Sequence, residues 1–339
     1  MNALIIGAGY FSQRIHINIL KSNKKIDKIF IYDEREKLAE KVATRFNLEI
    51  IKSLNLSEIK KNKIRVAILC FVRDLSFYYA SKCLKLNLHL LAEKPVVQSS
   101  KNLKKLISIA KKKKIIFQIC YQKTFSPAIK FLYQNIGKLE KIYGTLKIVI
   151  FELFNGDMRN GTRSFCRTKE KINYKKRDLS DGKKIKLKEN KVKYQIFLNR
   201  YIHSINLFNY LFNFTKLKIE KFKIISKYNF FLQLSKKNTQ FVFNFGDYNF
   251  HKWHDKIILY FEKAKMNVEL KAPLDFSNHK ISFFNGLKRR EVKIKIPKNN
   301  LFEDQLNFFL NSIKKGNTNN NYEIYKKDYM ICDALWSNK

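Results

Sequence analysis

Three groups of residues in this sequence could do chemistry together. The first is the run Gly7-Ala8-Gly9-Tyr10-Phe11-Ser12, which follows the apolar stretch Ala3–Ile6. A glycine turn between a strand and a helix lets the backbone approach a diphosphate, and the helix N-terminus offers it free N–H groups and a positive dipole end. Gly7 suits the tight turn and Gly9 the close approach, while Ser12 stands where a third glycine is usual. Asp33 closes the second apolar run and would accept hydrogen bonds from the ribose hydroxyls of an adenine dinucleotide. Tyr10, Phe11, Arg35, Phe71 and Glu93 complete the expected cofactor contacts. Asp33 and Glu34 disfavour an extra 2′-phosphate by like-charge repulsion, which favours NAD, while Arg35 and Lys37 leave NADP open.

The second group is Ala92-Glu93-Lys94-Pro95, which ends the apolar run Leu88–Leu91. Pro95 lacks an N–H and stops a strand ladder there. Ligands of open parallel sheets bind at the carboxyl ends of strands, so Lys94 would offer a cation where a substrate sits. The third is Asn199-Arg200-Tyr201-Ile202-His203, followed by Asn206. In a helix Asn199 and His203 share a face, with Asn206 one turn beyond. A histidine near neutral pKa suits general acid–base work.

Elements must hold these groups in place. Up to residue 120, short apolar runs (Ala3–Ile6, Lys28–Tyr32, Val66–Phe71, Leu88–Leu91 and Ile115–Cys120) alternate with stretches of helical periodicity such as Arg35–Phe46 and Ser76–Leu86. That alternation predicts an α/β fold whose residues 1–120 form a doubly wound, Rossmann-type parallel sheet. Residues 121–339 read as a second, α+β domain for substrate binding and oligomerisation. It holds a helix over Pro127–Asn135, a long strand over Gly144–Phe154, a loop at 155–190 and a helix over Tyr194–Phe212. Period-two segments from Leu217 to Ile296 predict an open, mostly antiparallel sheet. The helix Leu301–Lys314, an Asn-rich loop at 317–321 and a short helix close the chain.

Composition narrows the partners. The net charge is +41 over 339 residues, but only 12 of the 69 basic residues are arginine and the lysines run through almost every segment. No basic-aromatic module or zinc finger stands out, so no specific nucleic-acid partner is expected. The apolar run Val66–Val72 is far too short to cross a bilayer, and no membrane partner is expected. Cysteines 70, 83, 120, 166 and 332 show no C-x-x-C spacing, which fits reduced thiols in a cytoplasm. His251-Lys-Trp-His254-Asp255 has ligand-type residues without the convergence a metal site needs, so no metal is expected. Arg159, Arg163, Arg167 and Arg177 cluster in the 155–190 loop, where they could grip a phosphate or carboxylate.

Taken together, Gly7-x-Gly9, Glu93-Lys94-Pro95, Tyr121 with Phe125-x-Pro127, His203 in its helix and the amphipathic helix around Phe302–Phe309 resemble the Gfo/Idh/MocA family of sugar and inositol dehydrogenases. The resemblance implies a tightly held NAD(P) and a sugar, nucleotide-sugar, cyclitol or polyol substrate. It also implies a homodimer or homotetramer built through the open sheet. Lys94 would bond the reacting oxygen, His203 would exchange its proton, and Asn199 would hold substrate or imidazole. Tyr121, Lys123 and Arg200 would line the substrate pocket. Asparagine stands at 199 and 206 where the family commonly has aspartate, and Thr124 where it commonly has arginine. Asparagine orients a hydroxyl but takes up no proton at neutral pH. Two other activities fit the same scaffold: glycoside cleavage through transient oxidation by a recycled NAD, and ligand binding without catalysis.

Overall fold

The computed structural model describes residues 1–71, 73–156, 165–172, 188–213, 217–247, 252–275, 279–317 and 321–337. They fall into two compact units. The first comprises Met1–Cys120, residues 165–172 and Phe302–Asp333; the second holds Tyr121 to residue 156, residues 188–301 and the C-terminal residues from Ala334.

In the first unit the apolar runs become β1 (Asn2–Ile6), β2 (Ile29–Tyr32), β3 (Glu49–Ile50), β4 (Ile64–Leu69), β5 (His89–Ala92) and β6 (Phe117–Ile119). They form one sheet in the order β3-β2-β1-β4-β5-β6, and every pairing in it is parallel. This is the doubly wound order that reverses direction between β1 and β4 and leaves a crevice beyond their carboxyl ends. Ala3, Leu4, Ile5 and Ile6 are fully buried, as strands covered on both faces must be. The helices of this unit are α1 (Ile17–Lys21), α2 (Glu36–Phe46), α3 (Leu56–Lys61), α4 (Arg73–Lys85) and α5 (Ser100–Lys112). Asn55 caps α3 and Ser99 caps α5 through their side-chain oxygens. Leu103, Leu106, Ile107 and Ala110 are the buried stripe of α5.

In the second unit, α6 (Pro127–Tyr143) starts at a Ser126 cap and precedes β7 (Leu146–Asn155) and α7 (Lys188–Phe212). Then come β8 (Lys218–Ile224), β9 (Phe230–Lys236), β10 (Thr239–Asp247), β11 (His254–Phe261), β12 (Ala264–Glu269), β13 (Lys280–Asn285) and β14 (Arg290–Ile294). The sheet runs β14-β13-β12-β11-β7-β10-β9-β8, and only β7 with β10 is parallel. Alternate residues of β7 and β10 (Val149, Phe151, Leu153, Phe241, Phe243, Phe245) are buried. Helix α7 packs on that face: Phe208 meets Phe151, Phe241 and Phe243, and Tyr201 stacks on Phe245 at 4.5 Å. Each such aromatic contributes roughly 1.5–3 kcal/mol by leaving water, so this layer fixes α7 firmly. Ile148, Phe284 and Val292 stay exposed.

The closing helices α8 (Leu301–Lys314) and α9 (Tyr322–Trp336) return to the first unit for most of their length. Phe302 packs on His16, Asn307 bonds Asn23 at 2.9 Å, and Asp333 caps the first N–H of α5 at 3.0 Å.

Helix α6 extends beyond the expected Asn135. Gly137 is a weak helix former, but the turn continues through it to Gly144, whose φ of 84° ends the helix. Strand β3 was not anticipated: two exposed residues carry no periodicity to read.

Candidate functional site

The glycine turn leaves β1 at the point where the strand order reverses. Gly7 has φ 102°, and a Cβ there would lie 2.6 Å from the Cys70 carbonyl oxygen at the end of β4. Only glycine fits. The hydroxyl of Ser12 donates to the Gly7 carbonyl, so the residue replacing a third glycine locks the turn. The Gln13 amide donates to the Ala8 carbonyl at 2.8 Å. Gly9 is different: among the described residues nothing lies within 4 Å of where its Cβ would be. The fold itself does not require glycine there, whereas a diphosphate arriving against the backbone would.

Asp33 follows β2 and is almost wholly buried. Its Oδ2 accepts from the Ala8 N–H at 2.7 Å and from Arg35 Nη2 at 2.8 Å. Its Oδ1 accepts from the Arg35 N–H at 2.9 Å and from Arg35 Nε at 2.8 Å. Glu34 accepts a hydrogen bond from the Tyr79 hydroxyl, and burial together with this carboxylate holds the phenol well above its ordinary pKa. Phe71 leans on the Tyr79 ring at 4.6 Å.

The segment 165–172 lies against the same edge. The Cys166 N–H donates to Gln13 Oε1 at 2.8 Å, and Phe165 meets the Tyr10 ring at 5.1 Å, as Tyr10 meets Phe11 at 6.2 Å. The Glu170 carboxylate accepts from the N–H groups of Lys37 and Leu38 in the first turn of α2, at 3.4 and 3.3 Å.

At the end of β5 the Glu93 N–H donates to the Leu69 carbonyl and the Cys120 N–H to the Ala92 carbonyl, both at 2.8 Å. Cys70, Glu93 and Cys120 therefore follow three neighbouring strands in a row. Above them, a π-helical turn over Ser12–His16 delivers the buried His16, whose Nε2 lies 2.8 Å from Glu93 Oε1. Burial alone would lower the His16 pKa, but Cys70 and Glu93 outweigh it and raise it to about 10. Burial first, then Glu93 and Cys70, push the Cys120 thiol well above its usual value. The donor atoms of His16, Glu93 and Cys120 lie within 4.8 Å of one another, the one such metal-ligand set among the described residues. The ion pair already accounts for the His16–Glu93 contact. Lys94, half-buried, follows Glu93 directly, and its bond to Pro95 is cis.

In the second unit, α7 carries Asn199 on its exposed side and buries His203 and Asn206. The His203 ring stands edge-on to Tyr121 at 5.8 Å, so these two expected residues come together. Arg200 pairs with Asp247 and lies over the Tyr228 ring at 4.9 Å. Thr124 donates to the Tyr121 carbonyl at 2.8 Å. Lys123 is buried with its ammonium 2.5 Å from Asp255 and 5.9 Å from the Trp253 ring centre. His254 bonds Glu152 across β11 and β7 at 2.9 Å. Asp255, its neighbour, faces the opposite side of the strand, so the two do not converge on a cation. His251, Arg159, Arg163 and Arg177, like most of the 155–190 stretch, lie outside the described residues; Arg167 lies over the Phe165 ring at 4.4 Å. Sequence reasoning passed over His16, Gln13, Tyr79 and Glu170, and only His16, a histidine one turn after Ser12, carried a readable signal.

Residues 1–121 match the profile of the Gfo/Idh/MocA oxidoreductase family, NAD-binding Rossmann fold. No curated protein matches the sequence. Among solved structures, a point variant of KijD10, a 3-ketoreductase from Actinomadura kijaniata in complex with TDP-benzene and NADP, superposes with TM-score 0.78 at 12% identity, over 99% of this chain and 96% of that one. The UDP-N-acetylglucosamine 3-dehydrogenase GnnA from Acidithiobacillus ferrooxidans gives TM-score 0.69 at 15% identity, over 99% and 96%. Such identities establish shared architecture across the whole length. The glycine turn and strand order of the first unit agree with that profile match: residues 1–121 resemble the NAD-binding Rossmann domain of the Gfo/Idh/MocA family.

Proposed function

We propose that this chain is a cytoplasmic NAD(P)-dependent oxidoreductase acting on a CH–OH group of a sugar-like substrate, a nucleotide sugar by preference. The observation that carries the reading is the first unit's crevice: a glycine turn with open space at Gly9, and Lys94 at the end of β5 in the same parallel sheet. Gly7, Ala8 and Gly9 would hold the diphosphate, with Tyr10 and Phe71 flanking it. Bound there, the dinucleotide supplies the hydride chemistry. Lys94 hydrogen-bonds the reacting oxygen and stabilises its developing negative charge. His203 takes the hydroxyl proton as the C–H hydride leaves, and gives it back in the reverse direction. Tyr121 keeps the imidazole oriented, and Asn199 and Arg200 line the approach. The preference for nucleotide sugars rests on the TDP ligand of the KijD10 variant and the substrate named for GnnA. The exposed apolar residues Ile148, Phe284 and Val292 of the large sheet suit a homodimer or homotetramer.

The test is to purify the full chain, identify co-purifying small molecules by mass spectrometry, and assay NAD(P)H formation with UDP- and TDP-hexoses. Lys94→Met should lower kcat by about a hundredfold or more while the dinucleotide still binds. A variant that turns over normally removes Lys94 from the reaction. Wild-type protein that binds neither dinucleotide removes the oxidoreductase reading altogether.

A further inference from the structure

We infer that the chain uses NADP rather than NAD and that Arg35 decides the choice; the inference rests on the dinucleotide reading of the first unit.

Recognition of NAD at this position needs a carboxylate whose lone pairs can meet the ribose hydroxyls. A carboxylate has about four such sites. In Asp33 all four are engaged within the protein: Oδ1 by the Arg35 N–H and Nε, Oδ2 by the Ala8 N–H and Arg35 Nη2. The Asp33 side chain is 0% exposed, while that of Arg35 is 22% exposed. What the end of β2 presents outward is therefore a guanidinium, with the aspartate beneath it serving as its anchor. A ribose hydroxyl reaching Asp33 would have to break a two-point charged pair. A 2′-phosphate would add a dianion to a group built for forked contact with phosphate.

The other charges at this corner are mixed, so the group lying directly over Asp33 is what decides. Glu34 is drawn to the Tyr79 hydroxyl. Lys37 and Lys41 follow on α2, balanced by the exposed carboxylates Glu36 and Glu40 of the same helix. Among the described residues Glu170 is a further anion here, resting on the Lys37 and Leu38 N–H groups at 3.4 and 3.3 Å. Those bonds are longer than the roughly 2.9–3.0 Å usual for N–H···O, so a phosphate can displace the carboxylate.

The experiment is calorimetric titration of the full chain, freed of co-purified nucleotide, with NADP and with NAD, repeated on Arg35→Ala and Arg35→Lys. We expect NADP to bind wild type at least about tenfold more tightly than NAD. Arg35→Ala should weaken NADP by about 10- to 100-fold and leave NAD unchanged or tighter, because Asp33 is uncovered. Arg35→Lys keeps the charge without the fork and should fall between. Equal or tighter binding of NAD by wild type overturns the inference while leaving the dinucleotide site intact. So does an Arg35→Ala protein that loses both ligands equally. Binding of neither dinucleotide by wild type overturns the dinucleotide reading and this inference with it.

Discussion

Gly7 and Gly9 are two residues apart, yet substituting alanine should harm them in opposite ways. At Gly7 the added Cβ would stand 2.6 Å from the Cys70 carbonyl oxygen and 2.8 Å from its carbon, both backbone atoms that cannot swing aside, on a residue with φ 102°. Backbone strain of this kind costs about 1–3 kcal/mol, and the overlap adds to it. A loss of roughly 2–4 kcal/mol in the first unit corresponds to a fall in Tm of about 5–15 °C. At Gly9 the Cβ would enter open space and φ is not left-handed, so Gly9→Ala should fold as well as wild type or gain about 0.4–1 kcal/mol through the unfolded chain. The same methyl would stand in the way of a diphosphate bound as proposed. Losing one charge-assisted backbone hydrogen bond of about 1.5–3 kcal/mol weakens dinucleotide binding roughly 10- to 100-fold. Differential scanning calorimetry and NADP titration on both variants measure the two effects separately. A Gly9→Ala protein that binds NADP as wild type does would refute the placement of the diphosphate, and a Gly7→Ala protein of unchanged Tm would refute the steric argument.

That contrast marks where a sequence stops being readable. The order strand, glycine turn, helix, acidic residue is local, and β1, β2, β4 and β5 lie within two residues of where their apolar runs predict them. The partner that each polar atom takes is not local. Asp33 reads as a ribose acceptor from its residue type, and only side-chain geometry adds that Arg35 bonds both of its oxygens. His16 reaches Glu93 from 77 residues away, through a π-helical turn that no periodicity encodes. Residues 165–172 sit in a polar stretch with no pattern, yet Gln13 and the start of α2 hold them. In the second unit alternation identifies the sheet, but the ion pair of Lys123 is not legible, because Asp255, its buried partner, stands 132 residues downstream.

Breaking the Lys123–Asp255 pair should cost about 3–5 kcal/mol in Lys123→Met, because it strands a buried carboxylate, whereas the double variant Lys123→Met/Asp255→Leu recovers most of the loss. Urea unfolding followed by Trp253 fluorescence reads this, and a double variant no better than the single one would contradict it. His16 gives a pH signature. Its pKa is raised from 6.5 to about 10 in the folded chain, so the folded state binds the proton more tightly than the unfolded state does. The stabilisation is complete below about pH 6.5 and is lost as pH rises through about 10. At 1.36 kcal/mol per pKa unit, the loss is on the order of a few kcal/mol. Other groups titrate above pH 9, so the comparison is with Glu93→Gln: without the carboxylate only Cys70 opposes the effect of burial, and the slope from His16 becomes shallower. Unfolding free energies at pH 6, 8 and 9.5 should therefore fall more steeply in wild type than in Glu93→Gln. If the two proteins lose stability in parallel, His16 does not hold its proton against Glu93, and the ion pair at the foot of Lys94 is a neutral hydrogen bond.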